Sequence, residues 1–242
     1  MPVTQSHSKA RLADHVRACV VGDQMIFLDL LRSRYIGVGG PQLPALSAAI
    51  LESAPVDHTP VSASSVELLD AWVRRLRNQQ LLSDAPPCEM QSETVVPEAI
   101  TSLDTDDEQA AGSDWRTLVR LWRSTWVVST WLRRRSLADI AERIAALRAQ
   151  HSGRGGSLEV DAMRAAVAAY LRLRPFALTS HDRCLNDSLT LVHFLASQGL
   201  FPQWVIGVRI RPFCAHSWVQ SGGVVLNDLP ERVRAYQPIL VV

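Results

Sequence analysis

The sequence has few cysteines, almost no net charge and no long apolar run. The four cysteines are Cys19, Cys88, Cys184 and Cys214, and their spacing matches neither a disulfide framework nor a zinc motif. A net charge of +1 over 242 residues gives no general basis for binding nucleic acid. No stretch is apolar enough to span a bilayer, and the N-terminus lacks the apolar segment of a signal peptide. We therefore expect a cytoplasmic protein with free thiols and with no nucleic-acid or membrane partner.

Positive charge is absent from one internal segment. Residues 84–114 contain no Lys or Arg, carry carboxylates throughout and begin with two prolines. This composition is typical of a flexible tether with little core. The sequence therefore predicts an acidic flexible linker at 84–114, between a first domain at 1–83 and a second domain at 115–242.

The first domain has the pattern of strands followed by helices. Residues 15–21, 24–30 and 34–38 have strand composition and are separated by short polar turns. Apolar residues then recur at helical spacing in two stretches. They are Leu43, Leu46, Ile50 and Leu51 in the first stretch and Val66, Leu69, Val73, Leu76 and Leu81 in the second. We expect an α+β domain of three strands and two helices.

The second domain opens with an arginine-rich amphipathic pattern. The apolar residues that recur at helical spacing are Trp115, Leu118, Val119, Trp122 and Trp126. Arginines fill the other side of this pattern, which predicts the opening helix of the domain with its tryptophans packed inward. A surface for a partner or a membrane is the alternative. Further helices are expected at 137–150 and 158–172.

Cys184 comes at the start of a strongly apolar helical pattern. Apolar residues follow helical spacing over 184–198, and Gly199 ends the pattern. Ser180 or Asp182 is expected to cap this helix, which places Cys184 in the first turn. The unpaired backbone N–H groups and the helix dipole stabilise a thiolate there. Cys184 is therefore a candidate nucleophile.

A β-hairpin that carries a histidine and an aspartate is expected after this helix. The expected strands are 204–208, 213–219 and 224–227. If residues 221–223 form the loop between the last two, His216 lies directly opposite Asp228, with Cβ atoms about 5 Å apart. The carboxylate then orients the imidazole, and the imidazole serves as the base for a cysteine nucleophile.

Other roles for these residues remain open. Cys214 lies two residues before His216 and faces the same side of its strand, so it is a rival nucleophile. Cys184 is preferred because a strand offers no helix N-terminus to lower the pKa of a thiol. A zinc site built from Cys184, Cys214 and His216 lacks a clear fourth ligand. Either cysteine could also be a small buried residue, but the joint arrangement favours a triad.

The sequence around these three residues resembles a known family. It contains RCLNDSLTLVHF at 183–194, AHSWV at 215–219 and LND at 226–228, with YQPIL near the end. These motifs are similar to those of the transglutaminase-like peptidase of lasso-peptide gene clusters, the B protein. The resemblance implies that Cys184, His216 and Asp228 are the catalytic triad. It also implies a papain/transglutaminase-like fold, with helices packed on a small antiparallel sheet.

The first domain resembles the winged-helix domain that recognises leader peptides in ribosomal peptide pathways, the fold of the pyrroloquinoline-quinone peptide chaperone. Some B proteins carry this domain fused to the peptidase, and there the leader adds as a strand beside the third strand and packs against the last helix. The leader-binding residues that this resemblance implies are Tyr35, Ile36, Val38, Trp72, Arg75 and Leu76. An edge strand can bind an extended peptide through its backbone, although any apolar member of this set could be core instead.

The resemblance implies a cysteine peptidase that needs no cofactor or metal. Its substrate would be a lasso precursor, whose leader it binds and cleaves from the core peptide, and its partner would be an ATP-dependent macrolactam cyclase of the same pathway. Two alternatives use the same residues. An acyltransferase of the transglutaminase type would pass the acyl group to an amine, and a catalytically inactive module would only bind peptide.

Overall fold

The computed structural model describes residues 11–40, 43–51, 63–83, 97–102, 115–149, 157–177 and 184–242. The chain forms two compact units, Met1–Ser92 and Glu93–Val242.

The first unit contains five strands and two helices among its described residues. In chain order they are β1 Arg11–Leu12, β2 Val16–Val21, β3 Gln24–Asp29, β4 Arg34–Gly39, α1 Leu43–Leu51, α2 Ala63–Asn78 and β5 Leu82–Ser83. Strands β2, β3 and β4 form an antiparallel sheet in that order, and β1 pairs with β5. The three strands and two helices expected from the sequence are confirmed, with strand ends that differ by one residue at most.

The core of the first unit lies between the sheet and the two helices. Met25 and Phe27 project from β3 into this core, where they meet Leu46 of α1 and Leu76 of α2. All four side chains are almost completely buried. Because each contributes about 1.5–3 kcal/mol when buried, this contact is what holds the helices on the sheet.

The second unit packs helices on a five-stranded sheet. Its elements are β6 Thr101–Ser102, α3 Trp115–Arg134, α4 Leu137–Ala149, α5 Ser157–Ala177, α6 Cys184–Ala196, β7 Gln203–Ile210, β8 Phe213–Ser221, β9 Val224–Val225, α7 Pro230–Val233 and β10 Gln237–Val241. The sheet order is β10-β7-β8-β9-β6, and its pairs are antiparallel except β6 with β9. The unit is α+β, as the sequence predicts.

Helix α6 is the central element of the second unit. Eight of its 13 residues are buried, because the helix packs against β8 on one side and against α3 on another. The helix ends where Gly199 takes a positive φ of 78°, a conformation that suits glycine. The backbone N–H of Leu200 donates to the carbonyl of Leu195 in this turn. The predicted core helix is therefore confirmed, two residues shorter than expected.

Helix α3 corrects one expectation. Trp115, Trp122 and Trp126 are 68%, 57% and 68% exposed, so these tryptophans do not pack inward. The buried side chains of the helix are Leu121, Ser124 and Val128. The helix has two apolar stripes, and the one that contains Leu121 and Val128 faces the core. No helix in the described ranges is both long and apolar enough to cross a membrane.

Part of the expected linker belongs to the sheet. Residues 97–102 lie within the segment 84–114, yet Thr101–Ser102 form strand β6 at the sheet edge. The buried amide of Gln220 donates to the carbonyl of Pro97 at 2.7 Å, and the Arg234 guanidinium donates to the carbonyl of Ala99 at 2.6 Å. Hydrogen bonds to backbone carbonyls hold a segment in place whatever its charge, so the acidic composition did not reveal that residues 97–102 are ordered against the sheet. The rest of 84–114 lies outside the described residues.

Candidate active site

Cys184 is the first residue of α6 and is half-buried. Its thiol accepts hydrogen bonds from the backbone N–H groups of Leu185 and Ser217, and it hydrogen-bonds the His216 ring. The N-terminus of α6 and the adjacent strand β8 thus each direct a backbone N–H group toward the same sulfur atom. The expected caps, Ser180 and Asp182, lie outside the described residues.

His216 lies in the middle of β8, between a thiol and a carboxylate. Its Nε2 atom lies 2.5 Å from Oδ2 of Asp228, so the ring donates to the carboxylate. The other ring nitrogen is left for the hydrogen bond with the Cys184 thiol. The structure therefore brings all three predicted triad residues together, in the order thiol, imidazole and carboxylate.

The backbone geometry that brings Asp228 next to His216 differs from the predicted one. The turn is the two-residue Gly222–Gly223, since Ser221 pairs with Val224, and β9 contains only two residues. His216 and Asp228 are therefore not opposed in the ladder. The chain leaves the sheet after Val225, and the bend at 226–228 swings the carboxylate to the ring.

Asn227 fixes the bend that carries Asp228. Its Oδ1 atom accepts from the backbone N–H of Val219 at 2.8 Å, which replaces the next bond of the ladder. Its Nδ2 group donates to Oδ2 of Asp187 at 3.0 Å and to Oγ of Ser188 at 3.2 Å. Asp187 and Ser188 lie on α6, within about one turn of Cys184. The amide therefore joins the helix of the thiol to the loop of the carboxylate.

Asp187 is itself held by side chains of α5. The Tyr170 hydroxyl donates to Oδ1 of Asp187 at 2.9 Å, and Arg174 lies 3.3 Å from Oδ2. Ser188 donates to the backbone carbonyl of Ser217 at 2.9 Å, next to His216. The sequence analysis did not identify Asp187, Ser188 or Asn227. Spacing gave only a weak signal, since Asp187 follows Cys184 by three residues and Asn227 precedes Asp228.

The electrostatics of the site favour an ion pair. The hydrogen bond from His216, assisted by the two backbone N–H groups, holds the pKa of the Cys184 thiol below its ordinary value, although burial opposes this. Burial works to lower the pKa of His216, but hydrogen bonds and charge from Asp228 and Cys184 raise it to about 9. The pKa of Asp228 is lowered; burial opposes this, but hydrogen bonds from His216 and the Leu229 N–H outweigh it. Both shifts favour the charged pair of thiolate and imidazolium over the neutral thiol and imidazole.

Two aromatic rings enclose the imidazole. Trp218 stacks beside His216 at 6.1 Å between ring centroids, and Tyr236 lies 5.2 Å away. Gly207 pairs with His216 across the β7–β8 ladder. A Cβ atom at position 207 would lie 2.8 Å from the Trp218 ring and 2.9 Å from the Tyr236 Cβ. The rings can approach the imidazole only because this position has no side chain.

We expect Gly207→Ala to disturb the site as well as the fold. The added methyl must displace Trp218 or Tyr236, which costs about 1–3 kcal/mol for an overpacked core and moves the walls around His216. The measurements are the free energy of unfolding in urea and the rate at which iodoacetamide alkylates Cys184.

Gly222→Ala is the matched control. Gly222 has a φ of 56° with nothing within 4 Å of an added Cβ, so alanine there costs about 1–2 kcal/mol of backbone strain away from the imidazole. Its alkylation rate should match that of the wild type. Equal alkylation rates in the two variants would show that Gly207 has no role in the site.

Cys214 does not occupy the position of a nucleophile. Its sulfur accepts a hydrogen bond from the Tyr236 hydroxyl at 3.6 Å and donates to the Ala215 carbonyl at 3.7 Å. The zinc site considered as a rival is not formed either, because no three His, Cys, Asp or Glu side chains in the described part of the chain converge as metal ligands. Cys19 is buried, and burial raises the pKa of its thiol to about 12.

The expected leader-binding residues divide into two groups. On β4, at the edge of the three-stranded sheet, are Tyr35, Ile36 and Val38, and on α2 are Trp72, Arg75 and Leu76. Val38 and Leu76 are only 2% and 1% exposed, so their side chains belong to the core of the first unit. The Arg75 guanidinium lies 5.2 Å from the centroid of the Trp72 ring at the surface. Tyr35 and Ile36 are partly exposed.

Comparison with known proteins finds a family match in the second unit. Residues 124–241, which include Cys184, His216 and Asp228, match the family model of the transglutaminase-like superfamily. The chain is also similar to the Microcin J25-processing protein McjB of Escherichia coli, with 49% identity over 47 residues. That segment is 19% of this chain and 23% of the relative, so the match spans about a quarter of the relative's length. No solved structure matches the chain. These matches confirm the resemblance to the lasso-peptide B proteins, and the second unit of the chain is similar to the transglutaminase-like superfamily.

Proposed function

We propose that the protein is a cysteine peptidase that binds the leader of a ribosomally made lasso-peptide precursor and cleaves it from the core peptide. The observation that carries this proposal is the hydrogen-bonded series of Cys184, His216 and Asp228 at the start of a buried helix. The similarity to a microcin-processing protein supports the substrate class.

The proposed reaction begins with the ion pair. The Cys184 thiolate attacks the carbonyl carbon of the scissile peptide, and its C–S bond forms as the carbonyl oxygen becomes an oxyanion. His216, in its imidazolium form, then gives its proton to the leaving amine as the C–N bond breaks. Water, deprotonated by the neutral imidazole, attacks the thioester and releases the carboxylate product and the thiol. Asp228 holds the ring in place and stabilises the imidazolium throughout.

The leader-binding role rests on the first unit. In this proposal the first unit is a winged-helix-like recognition domain, and the extended leader adds to the edge of β4 through backbone hydrogen bonds. Arg75, which is exposed, and Trp72, which is half-buried beside it on α2, then contact side chains of the leader. Tethering the precursor by a flexible connection raises its concentration at the thiol to about the millimolar range. An ATP-dependent macrolactam cyclase is the proposed partner that receives the freed core peptide.

Processing of a precursor tests this proposal. We expect the full chain to release leader and core as two hydrolysed products, seen by mass spectrometry. A chain lacking residues 1–92 should cleave precursor at least about tenfold more slowly at micromolar substrate, because delivery by the leader is lost.

A short substrate that lacks the leader provides the control. Both forms should cleave it at the same rate, and Cys184 should be alkylated equally in both, which shows that the second unit is folded. If the shortened chain processes the full precursor as fast as the intact chain, the delivery role is wrong. Transfer of the acyl group to an added amine in place of water would instead support the acyltransferase alternative.

A further inference from the structure

Helix α3 presents a row of apolar side chains to solvent. Trp115, Val119, Trp122 and Trp126 are separated by four, three and four residues, so they form one stripe along the helix. All four are more than half exposed. We call these four residues the tryptophan stripe. It is about 16 Å long, since an α-helix rises about 1.5 Å per residue.

The tryptophan stripe is separate from the face by which α3 joins the unit. Leu121, Ser124 and Val128 face inward, where α3 packs against α5 and α6. The match to the superfamily begins at residue 124, so Trp115, Val119 and Trp122 precede it. The exposed row therefore takes no part in the packing of α3 on α5 and α6, and three of its four residues lie outside the matched region.

The charge of α3 has one sign. The helix contains five arginines and no aspartate or glutamate, in a chain whose net charge is only +1. Arg116, Arg120 and Arg123 are exposed and lie along one flank of the tryptophan stripe. Guanidinium groups bind phosphate oxygens in a bidentate manner, so this flank is complementary to a surface rich in phosphate.

An open cavity lies at the C-terminal end of the stripe. It has a volume of about 420 Å³ and is lined by Trp126, Thr130, Arg133 and Arg134. Two guanidinium groups, a hydroxyl and an indole thus line one side of an open space large enough for a phosphate headgroup. The cavity and the flank of the stripe both present guanidinium groups on the exposed side of α3.

A lipid surface fits these features together. Tryptophan has an apolar ring system and a polar N–H group, and it is enriched where bilayers meet water. A straight stripe on one helix can meet a flat surface along its whole length, while the arginines reach phosphates beside it. Protein interfaces commonly carry charges of both signs, whereas α3 carries one.

We propose that the tryptophan stripe of α3 docks the protein on an anionic lipid surface, with the indoles among the headgroups and the arginines on lipid phosphates. In this proposal the protein binds to the surface of a membrane and does not cross it. It goes beyond the proposed peptidase function, and each of the two proposals can be correct without the other. It also departs from the expectation of no membrane partner, which rested on the lack of an apolar run long enough to span a bilayer.

Sedimentation with vesicles tests the docking. The full chain is mixed with vesicles of phosphatidylcholine alone or of phosphatidylcholine with phosphatidylglycerol, and the bound fraction is measured. We expect binding to the anionic vesicles to be at least about tenfold tighter, because each arginine near the surface adds to the attraction. Binding should weaken as salt rises. Tryptophan emission should shift to shorter wavelength on binding, since Trp122 and Trp126 leave water.

Three variants make the test specific. The double variant Trp122→Ser, Trp126→Ser and the triple variant Arg116→Gln, Arg120→Gln, Arg123→Gln should each lose at least about tenfold in affinity. Phe176→Ser removes an aromatic side chain that is 70% exposed on α5, outside the stripe, and should bind as the wild type does. Circular dichroism and the alkylation rate of Cys184 establish that each variant is folded.

The proposal is overturned by any of three results. These are equal binding to the two kinds of vesicle, unchanged binding of the double and triple variants, and an equal loss in Phe176→Ser. It is also overturned if the wild type stays in the supernatant and the stripe instead mediates self-association, seen by analytical ultracentrifugation. Precursor cleavage in buffer without vesicles should be the same for wild type and stripe variants, which separates this proposal from the peptidase function.

Discussion

Replacement of Cys184 by alanine is expected to reduce precursor cleavage by at least about 10³-fold, while the chain stays folded. The reason is that the sulfur is the atom that forms the covalent bond, and no other thiol in the described part of the chain hydrogen-bonds His216. Mass spectrometry of a matched precursor measures the loss, and circular dichroism measures folding.

Cys214→Ala is the matched control for this experiment. Cys214 lies on β8 near the same imidazole, but its partners are Tyr236 and the Ala215 carbonyl. We expect this variant to keep most of the wild-type rate. If Cys214→Ala loses activity and Cys184→Ala keeps it, the nucleophile has been assigned to the wrong thiol.

Alkylation identifies the thiol without any substrate. In a Cys88→Ser background, iodoacetamide should label Cys184 at neutral pH, because its pKa is lowered by the His216 hydrogen bond. Cys19 should remain unlabelled in the native protein, since burial raises the pKa of its thiol to about 12. Peptide mapping after a short exposure reads out both sites together.

Substitution of Asp228 by asparagine is expected to lower kcat by about 10²–10⁴-fold and to change the pH profile. In the wild type, cleavage should fall on the alkaline side near pH 9, where His216 loses the proton that it gives to the leaving amine. Asparagine replaces the charged carboxylate, which raises this pKa, by a neutral amide that stabilises the imidazolium less. The alkaline limb of Asp228→Asn should therefore move to lower pH.

The same pKa shift has a consequence for stability, with a definite sign. The pKa of His216 is raised in the folded state, so its pairing stabilises the fold fully below the ordinary histidine pKa and ceases to do so as pH rises through about 9. Denaturation in urea at several pH values should show this loss in the wild type and a smaller one in Asp228→Asn.

Arg232→Gln is the control for Asp228→Asn. Arg232 lies 3.2 Å from Oδ1 of Asp228 but its side chain is 62% exposed, so water screens this pair. We expect the alkaline limb to stay near pH 9 in this variant. If Arg232→Gln and Asp228→Asn shift the limb equally, the pKa of His216 depends on general charge and not on the hydrogen bond.

The sequence predicted the elements of the site better than their connection. Helix α6 has a strong apolar helical period and β8 has the composition of a strand, so the elements that carry Cys184 and His216 were predicted correctly. The bend at 226–228 depends on Asn227, whose side chain takes the place of a ladder bond. Strand pairing rules count backbone positions, and they do not anticipate a side chain that ends the ladder.

Helix α3 shows a second limit of sequence patterns. Periodicity established that its apolar residues share a face, but it did not tell which of two apolar stripes faces the core. Leu121 and Val128 form the inner stripe because α5 and α6 pack there, and this depends on residues distant in the sequence. The tryptophans were assigned to the core because they lie opposite the arginines, and that was wrong.

One amide couples the two ends of the proposed triad. Asn227 neighbours Asp228 and grips Asp187, which shares the first turns of α6 with Cys184. Because this amide links the helix of the sulfur to the bend of the carboxylate, we expect any shift of α6 relative to the sheet to move both groups together. During evolution, positions 187 and 227 should consequently change as a pair, because a change at 187 alone removes the acceptor of the Asn227 amide.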